Sequence, residues 1–320
     1  SAIRPGGQEQ AQRRAGDPLG SNLRADMGLR PARRLLLGQT GIEDRERPGA
    51  RLRDSGTRPV HQVPQDPDTG AVRLRRHPIR EHPAAGTPEQ SPASVYVHIP
   101  FCLRKCLYCD FASYAGKENL FQPYVYALAK EIRLTAGQHP GARISTVYFG
   151  GGTPNLLSSD LLARILAEIA NDFTICPDVE ITLEANPGLV GTRNIGFNRL
   201  SLGVQSLHDN ELRALGRVHT AEEAISAFHN ARGSGLKNIS IDLMYGIPEQ
   251  TVATWRETLS RVIELRPEHI SLYSLTVEEG TPFAEMCGEG RLELPGNDLE
   301  ADMYEEAIRG LDHSGFVHYE

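Results

Sequence analysis

Residues 96–111 read YVHIPFCLRKCLYCDF, a stretch that begins as a β-branched, strand-like segment and continues as a loop. The loop carries Cys102, Cys106 and Cys109 at CxxxCxxC spacing. Three thiolates on one tight loop can bind three irons of a 4Fe-4S cube, and the fourth iron then stays open to a ligand from outside the protein. The spacing therefore predicts an iron-sulfur cluster with one open iron, held in a loop that follows a strand.

Two other uses of these thiols compete with a cluster. A structural zinc site normally has four protein ligands, often in paired CxxC motifs, whereas the remaining cysteines, Cys176 and Cys287, are isolated in the sequence. A disulfide framework is typical of secreted chains, but here 5 cysteines occur in 320 residues without an apolar signal-peptide segment. The sequence favours the cluster and keeps zinc as the alternative.

The first 90 residues differ in composition from the rest. They contain 16 arginines, no lysine and 11 acidic residues, whereas residues 91–320 contain 18 basic and 30 acidic residues. Rich in Arg, Pro and Gly and without a sustained apolar period, they cannot bury enough surface to offset the entropy lost on ordering. We predict a disordered extension without a function of its own. It lacks the Ser-rich, acid-poor character of a transit peptide and the interleaved aromatics of a nucleic-acid-binding segment, so no nucleic-acid partner is expected.

Residues 91–320 are predicted to form one α/β domain. Short apolar runs alternate with helical patterns, which is typical of parallel βα units. Strands are predicted at 95–99, 146–150, 180–185, 199–204, 238–245 and 269–275. Helices are predicted at 124–135, 159–172, 221–232, 253–265 and 299–311, the second behind an N-cap cluster at 158–160 and the third behind a Thr220–Glu223 capping box. This pattern indicates a (βα)6 partial TIM barrel, whose chemistry gathers at the carboxyl ends of the strands.

The connection between the third and fourth predicted strands is short. Residues 188–198 read GLVGTRNIGFN, eleven residues with three glycines. A parallel crossover normally needs a dozen or more residues and usually a helix. We therefore expect either a bare, strained connection or a chain that has lost a segment there.

Seven motifs in order resemble the radical S-adenosylmethionine (SAM) core of the oxygen-independent coproporphyrinogen III oxidase family. They are YVHIPFCLRKCLYC at 96–109, FGGGTP at 149–154, ITLEANP at 181–187, LGVQS at 202–206, LGRVH at 215–219, IDLMYGIP at 241–248 and LYSLTVEEGTP at 272–282. The oxidases of this family carry a further cysteine two residues after the third cluster cysteine, where this chain has Phe111. The resemblance therefore favours the heme chaperone branch, HemW.

The resemblance implies a 4Fe-4S cluster whose open iron binds the methionyl amine and carboxylate of SAM, and a cluster electron that releases a 5′-deoxyadenosyl radical. The chaperone branch binds heme and delivers it to acceptor hemoproteins; an electron donor is also implied, and no catalytic residue is assigned. Its heme-associated histidine motif belongs to a C-terminal region that we expect to be missing after His318. The alternatives are an oxidase that decarboxylates coproporphyrinogen III, and a nonfunctional fragment.

The glycine run that ends the second predicted strand is a candidate cofactor cradle. Without side chains, Gly151 and Gly152 let backbone groups approach a ligand closely, although a plain tight turn explains a glycine triplet equally well. The resemblance assigns this edge to the methionyl group of SAM, with the Thr153 hydroxyl beside it.

Polar residues near other strand ends complete the predicted site. Glu184 lies in an otherwise apolar run, and a buried carboxylate there needs a partner, for which a neighbouring arginine is one candidate. The resemblance gives Glu184, Gln205, Arg217 and Asp242 contacts with one or two SAM molecules, and the planar fork of Arg217 suits a carboxylate.

Aromatic and imidazole side chains flank the cysteines. Tyr96 is predicted to reach the cluster side of the first strand and Tyr108 to pack against the adenine of SAM, although either ring could simply shield the cluster from water. His98 is predicted to be a structural histidine and not a ligand. No apolar run of about 18 residues is present, so we expect a soluble cytoplasmic protein with at most peripheral membrane contact.

Overall fold

A computed structural model describes residues 92–189 and 195–319 of the chain. The strands are β1 Ala93–Ile99, β2 Phe101–Cys102, β3 Tyr114–Ala115, β4 Arg143–Gly151, β5 Thr174–Ala185, β6 Arg199–Gln205, β7 Ile239–Tyr245 and β8 His269–Ser274. The helices are α1 Phe121–Gln138, α2 Ser159–Asp172, α3 Asp209–Ala214, α4 Ala221–Gly233, α5 Val252–Leu265, α6 Pro282–Gly288 and α7 Asn297–His313. The predicted disordered extension lies outside the described residues and stays a prediction.

Six strands form one parallel sheet in chain order, β1-β4-β5-β6-β7-β8, with β1 and β8 at its edges. The fold is the predicted (βα)6 partial TIM barrel. Every predicted strand and helix is found, and the largest difference is in β5, which begins six residues earlier than expected. Helix α2 begins where the cap predicts it, because the Ser158 side chain accepts a hydrogen bond from Leu161 N at 3.4 Å. The Thr220–Glu223 capping box is also formed.

The apolar core lies on the outer face of the sheet, between the strands and the helices. Leu200 and Leu202 are 1 % and 0 % exposed and alternate with Ser201 and Gly203 on the other face. Trp255 of α5 is fully buried and donates from Nε1 to the Met303 carbonyl of α7 at 2.8 Å. The inner face, which we call the lumen, is polar. It carries Tyr96, His98, Tyr148, Thr182, Glu184, Arg199, Ser201 and Asp242.

The β5–β6 connection retains parallel pairing without an α-helix among its described residues. Leu183 pairs with Leu200, and a 3-10 turn at Pro187–Leu189 follows β5. Asn198 then ties the returning chain to β5, accepting from Ile181 N at 2.8 Å and donating to Val179 O at 2.7 Å. Residues 190–194 lie outside the described residues, so the strained or shortened crossover stays a prediction.

A membrane-spanning helix needs both sufficient length and an apolar sequence. None of the helices in residues 92–189 and 195–319 meets both requirements.

Candidate cofactor site

The cysteine loop leaves β1 and is fixed to three other parts of the fold. Thr153 N, after β4, donates to Phe101 O at 2.6 Å. Leu107 N donates to Leu215 O at 3.1 Å, and Phe283 N, in α6, donates to Leu107 O at 3.1 Å. The short β2–β3 pair closes the base of the loop. These backbone bonds hold the thiols at the carboxyl end of the sheet, where a parallel barrel places its chemistry.

All three loop thiols are free and partly exposed. The Thr153 hydroxyl contacts Cys102 Sγ at 3.6 Å, and Arg217 Nη1 contacts Cys106 Sγ at 3.6 Å. Burial raises the pKa of the Cys109 thiol, so metal binding there must release a proton. No group of three or more Cys, His, Asp or Glu side chains in the described ranges converges on a single metal position. A cube does not require such convergence, because each thiolate binds a different iron.

The glycine turn after β4 packs directly against the loop. A Cβ on Gly152 would lie 2.5 Å from Phe101 O and 3.0 Å from Cys102 Sγ. Gly151 has a φ of +111°, and its Cβ would lie 2.6 Å from two ring atoms of His98. Both positions therefore need glycine for reasons within the protein itself, and they expose backbone beside Cys102.

The two candidate carboxylates in the lumen are paired with hydroxyl groups. Tyr148 donates to Glu184 Oε1 at 2.6 Å, and the Ser201 hydroxyl lies 3.1 and 3.0 Å from the two oxygens of Asp242. Burial raises the pKa of both Glu184 and Asp242, against the lowering effect of these hydrogen bonds. The sequence suggested an arginine as one candidate partner of Glu184. The structure shows Tyr148 in that role, because the register of β4 and β5 brings this tyrosine beside Glu184.

Arg217 connects the cysteine loop with the strand ends. It contacts Cys106 Sγ, donates from Nη2 to Gly203 O at 2.7 Å and also bonds Asn186 Oδ1. Gln205, the last residue of β6, has a left-handed backbone conformation with a φ of +67°. Gln205 Oε1 and Arg217 Nε are buried without a hydrogen-bond partner in the described part of the chain. Buried polar atoms are almost always paired, so these two atoms are suited to a polar ligand.

Asn186 is a site residue that the sequence reasoning did not single out. Its side chain accepts from Arg217 and donates from Nδ2 to Thr153 Oγ1 at 3.1 Å, and its backbone N donates to Asn155 Oδ1 at 3.1 Å. It thus joins the glycine turn to the arginine. Asn186 directly follows the third predicted strand, and this position at a strand end is the sequence feature that could have identified it as a site residue.

The three flanking rings occupy different environments. Tyr96 is 54 % exposed, stacks on Tyr148 with centroids 6.1 Å apart, and has a pKa raised to about 12, mainly by burial of its hydroxyl. Both ring nitrogens of His98 are hydrogen-bonded, to Tyr96 OH at 3.2 Å and Ala112 O at 3.0 Å, which fits a structural histidine. Tyr108 packs against Phe283, and its adenine contact stays a prediction.

The Radical SAM superfamily profile matches residues 96–262 of the chain. The chain belongs to the radical SAM superfamily. Membership implies a 4Fe-4S cluster and SAM, and the residues present fit both groups: three free thiols share one loop, two glycines leave backbone open, and two buried polar atoms await a partner.

Several relatives resemble most of this radical SAM chain. The heme chaperone HemW of Haemophilus influenzae is 39% identical, covering 73% of this chain and 63% of its own length. HemW of Escherichia coli is 38% identical, with 72% and 61% covered. The mitochondrial radical S-adenosyl methionine domain-containing protein 1 of Danio rerio is 37% identical, with 71% and 53% covered. The chain thus spans about half to two thirds of these relatives.

A solved structure shows the same radical SAM fold. It is the coproporphyrinogen III oxidase HemN of Escherichia coli, with a TM-score of 0.64 and 31% identity, covering 71% of this chain and 54% of that one. The order of the motifs and the parallel sheet agree with this likeness, and the predicted family resemblance is confirmed.

His219 gives the radical SAM domain a pH-dependent stability. Its ring is 4 % exposed and bonds Val204 O through Nε2 at 3.1 Å, while Nδ1 has no partner in the described residues. Burial, and then the charge of Arg217, lower the pKa of His219 to about 4. Because the unfolded chain takes up this proton near pH 6.5 and the folded one only near pH 4, stability is present above pH 6.5 and is lost as the pH falls towards 4.

We expect this histidine to remove about 3 kcal/mol of unfolding free energy between pH 7 and pH 4. The measurement is urea unfolding of the wild type and His219→Gln at several pH values, since glutamine keeps the donor to Val204 and does not titrate. The wild type should lose more stability on acidification. Parallel pH curves for the two proteins would contradict the assignment.

Proposed function

We propose that this chain is a radical SAM-type heme chaperone, which binds a 4Fe-4S cluster, SAM and heme and delivers heme to acceptor hemoproteins. The observation that carries the proposal is the cysteine loop. It has three free thiols and an exposed Phe111 where the oxidase pattern has a further cysteine. Similarity to heme chaperones HemW supports the same branch.

In this proposal, Cys102, Cys106 and Cys109 are the cluster ligands. When bound, the cluster supplies an electron to SAM. The protein fixes the loop through its backbone bonds to Thr153 and Leu215, and its contacts with Thr153 and Arg217 place donors beside two of the sulfurs. Such donors stabilise negative charge on cluster thiolates.

The SAM contacts are proposed for residues that surround the thiols. Backbone groups of Gly151 and Gly152 and the Thr153 hydroxyl bind the methionyl group, and Arg217 donates to its carboxylate from the unpartnered Nε. Gln205 accepts a hydrogen bond through its unpartnered Oε1. Glu184 and Asp242 accept from hydroxyl or ammonium groups of the same or a second SAM, and Tyr96 and Tyr108 shield the site from water.

Heme, its acceptors and the electron donor are the outer parts of the proposal. We place the heme-binding histidine motif outside the radical SAM domain, in a C-terminal region, as the resemblance implies, so the described residues by themselves should bind heme weakly. The second candidate is the oxidative decarboxylation of coproporphyrinogen III, which the structural likeness to HemN favours. A nonfunctional protein is the third candidate, and the short connection at residues 188–198 is the feature that motivates it.

The test compares heme binding with coproporphyrinogen III conversion after anaerobic cluster reconstitution. The samples are the 320-residue chain and a chimera that adds the C-terminal region of Haemophilus influenzae HemW, with HemN as the positive control for conversion. We expect neither sample to form protoporphyrinogen IX and only the chimera to bind heme stoichiometrically, because Phe111 replaces the oxidase-type cysteine.

Each contrary result is informative. Formation of protoporphyrinogen in the presence of SAM and a reductant would contradict the chaperone proposal and favour the oxidase function. Tight heme binding by the 320-residue chain would move the heme site into the radical SAM domain. Failure to assemble any cluster would favour the nonfunctional protein.

A further inference from the structure

Glu211 of α3 is a buried carboxylate that the proposed SAM site does not use. The residue is 1 % exposed. Its Oε2 accepts hydrogen bonds from the Ser206 hydroxyl at 2.6 Å and from Gln250 Nε2 at 3.0 Å, while its Oε1 has no partner in the described part of the chain. Burial of a carboxylate is costly unless hydrogen bonds offset it, so the place of Glu211 in the fold depends on these two donors.

The two donors come from the carboxyl ends of neighbouring strands. Ser206 directly follows β6, and its hydroxyl also accepts from His208 N at 3.0 Å. Gln250 lies in the turn after β7, where its Oε1 accepts from Ile247 N at 3.3 Å. Glu211 therefore ties α3 to the ends of β6 and β7, at the edge of the sheet that carries the proposed SAM contacts.

Helix α3 in turn supports Arg217 and the cysteine loop. Leu212 O accepts from Arg217 N at 2.9 Å. Glu211 O accepts from Leu215 N at 3.0 Å, and Leu215 O accepts from Leu107 N of the cysteine loop at 3.1 Å. The helix that Glu211 fixes to the strand ends is thus bonded to two parts of the candidate site.

Glu211 also joins the two segments that carry the unpartnered atoms of that site. Gln205 directly precedes Ser206, so the bond from Ser206 to Glu211 holds the end of β6 beside α3. Arg217 follows α3 and is bonded to it through its backbone N. A shift of α3 away from the strand ends would therefore change the distance between Gln205 Oε1 and Arg217 Nε, the two buried atoms proposed to meet SAM.

We propose that Glu211 is a positioning residue for SAM, whose hydrogen bonds to Ser206 and Gln250 fix the placement of Gln205 relative to Arg217. The inference rests on the proposed function, which supplies the SAM site. Glu211 acts through these two residues and not by touching the cofactor. The network requires an acceptor at the position of Oε2 and not a charge, so the amide oxygen of a glutamine can retain both bonds.

The test measures SAM affinity by calorimetry on the full 320-residue chain with its cluster reconstituted. We expect Glu211→Ala to weaken SAM binding about tenfold or more, because both donors lose their acceptor and α3 is released from the strand ends. Glu211→Gln should stay within about threefold of the wild type. Ser206→Ala removes one donor and should give an intermediate loss, so it carries the test if Glu211→Ala does not fold.

Asn198→Ala is the matched control for a general loss of stability. It removes the bonds of Asn198 to Ile181 N and Val179 O, at the opposite end of β6, and should lower the melting temperature without changing SAM affinity. A double-mutant cycle with Arg217→Lys gives a second readout. Because Glu211 is proposed to act through Arg217, Glu211→Ala should weaken SAM binding less in the Arg217→Lys background than in the wild type.

The contrary outcomes separate this inference from the proposed function. Unchanged SAM affinity in Glu211→Ala, equal losses in Glu211→Ala and Glu211→Gln, or additive effects in the cycle overturn the inference and leave the proposed SAM site intact. An equal loss in Asn198→Ala also overturns it, because destabilisation alone would then explain the effect. A wild type that holds its cluster and binds no SAM overturns both proposals. Iron, sulfide and melting temperature of each variant show whether cluster and fold are retained.

Discussion

Replacing Cys106 by alanine is expected to abolish the brown iron-sulfur chromophore after anaerobic reconstitution. Each of the three loop thiolates is proposed to bind one iron, and two ligands cannot retain the cube. Cys106 also contacts Arg217 Nη1 at 3.6 Å, so the change removes an acceptor beside the proposed SAM site. Bound iron and acid-labile sulfide, measured per protein chain, give the result directly, and Cys102→Ala and Cys109→Ala should behave in the same way.

Cys176→Ala and Cys287→Ala are the matched controls for this loss. Cys176 is buried in β5 and Cys287 lies in α6, both outside the cysteine loop. We expect both variants to retain full iron and sulfide. Undiminished iron and sulfide in the Cys106→Ala protein would contradict the assignment of Cys106 as a cluster ligand. Zinc in place of iron in the wild type would favour a structural zinc site.

Gly151→Ala is expected to weaken SAM binding by about tenfold or more, which corresponds to about 1.4 kcal/mol. The proposed methionyl group approaches the backbone at this position, and alanine adds a methyl group there. The structure shows a second cost, because the new Cβ would lie 2.6 Å from the His98 ring and φ is +111°. A simple comparison with the wild type would therefore mix ligand contact with protein strain.

A His98→Ala background removes the contact with the ring, and cluster content and melting temperature report the remaining cost of the positive φ. Removing the imidazole relieves the contact that the new Cβ would make, so Gly151→Ala in this background should retain its cluster and still bind SAM more weakly than His98→Ala alone. Calorimetry on the two proteins makes the comparison. Equal affinities would show that Gly151 serves only protein packing. Gly152→Ala is a contrasting variant, because its Cβ would push against Phe101 O and Cys102 Sγ, and we expect it to lose cluster.

Most of the architecture was present in the local pattern of the chain. Alternation in β6, where Leu200 and Leu202 are buried between polar neighbours, identifies a strand with one apolar face. Helix α2 was predicted with its observed bounds because Ser158 caps it. The elements that were not predicted, β2, β3, α3 and α6, have between two and seven residues, too few for a periodic pattern to show.

Some features of the candidate site could likewise be predicted from the sequence, and others could not. Cysteine spacing and the glycine run depend on neighbours in sequence, so they could be recognised directly. Pairing of Tyr148 with Glu184 joins residues 36 apart, and that of Ser201 with Asp242 joins residues 41 apart. Neither pairing follows from the types of the residues alone.

By itself, the sequence determined a parallel βα fold with three thiols on a loop after its first strand, because periodicity and spacing are local properties. Only the tertiary structure decided that hydroxyls, and not arginines, bond the lumen carboxylates, that Asn186 joins Thr153 to Arg217, and that Arg199 keeps free donors. The physical reason is strand register. A shift of one residue would turn Glu184, Asp242 and Arg199 to the opposite face of the sheet, and register is set by packing of the whole domain.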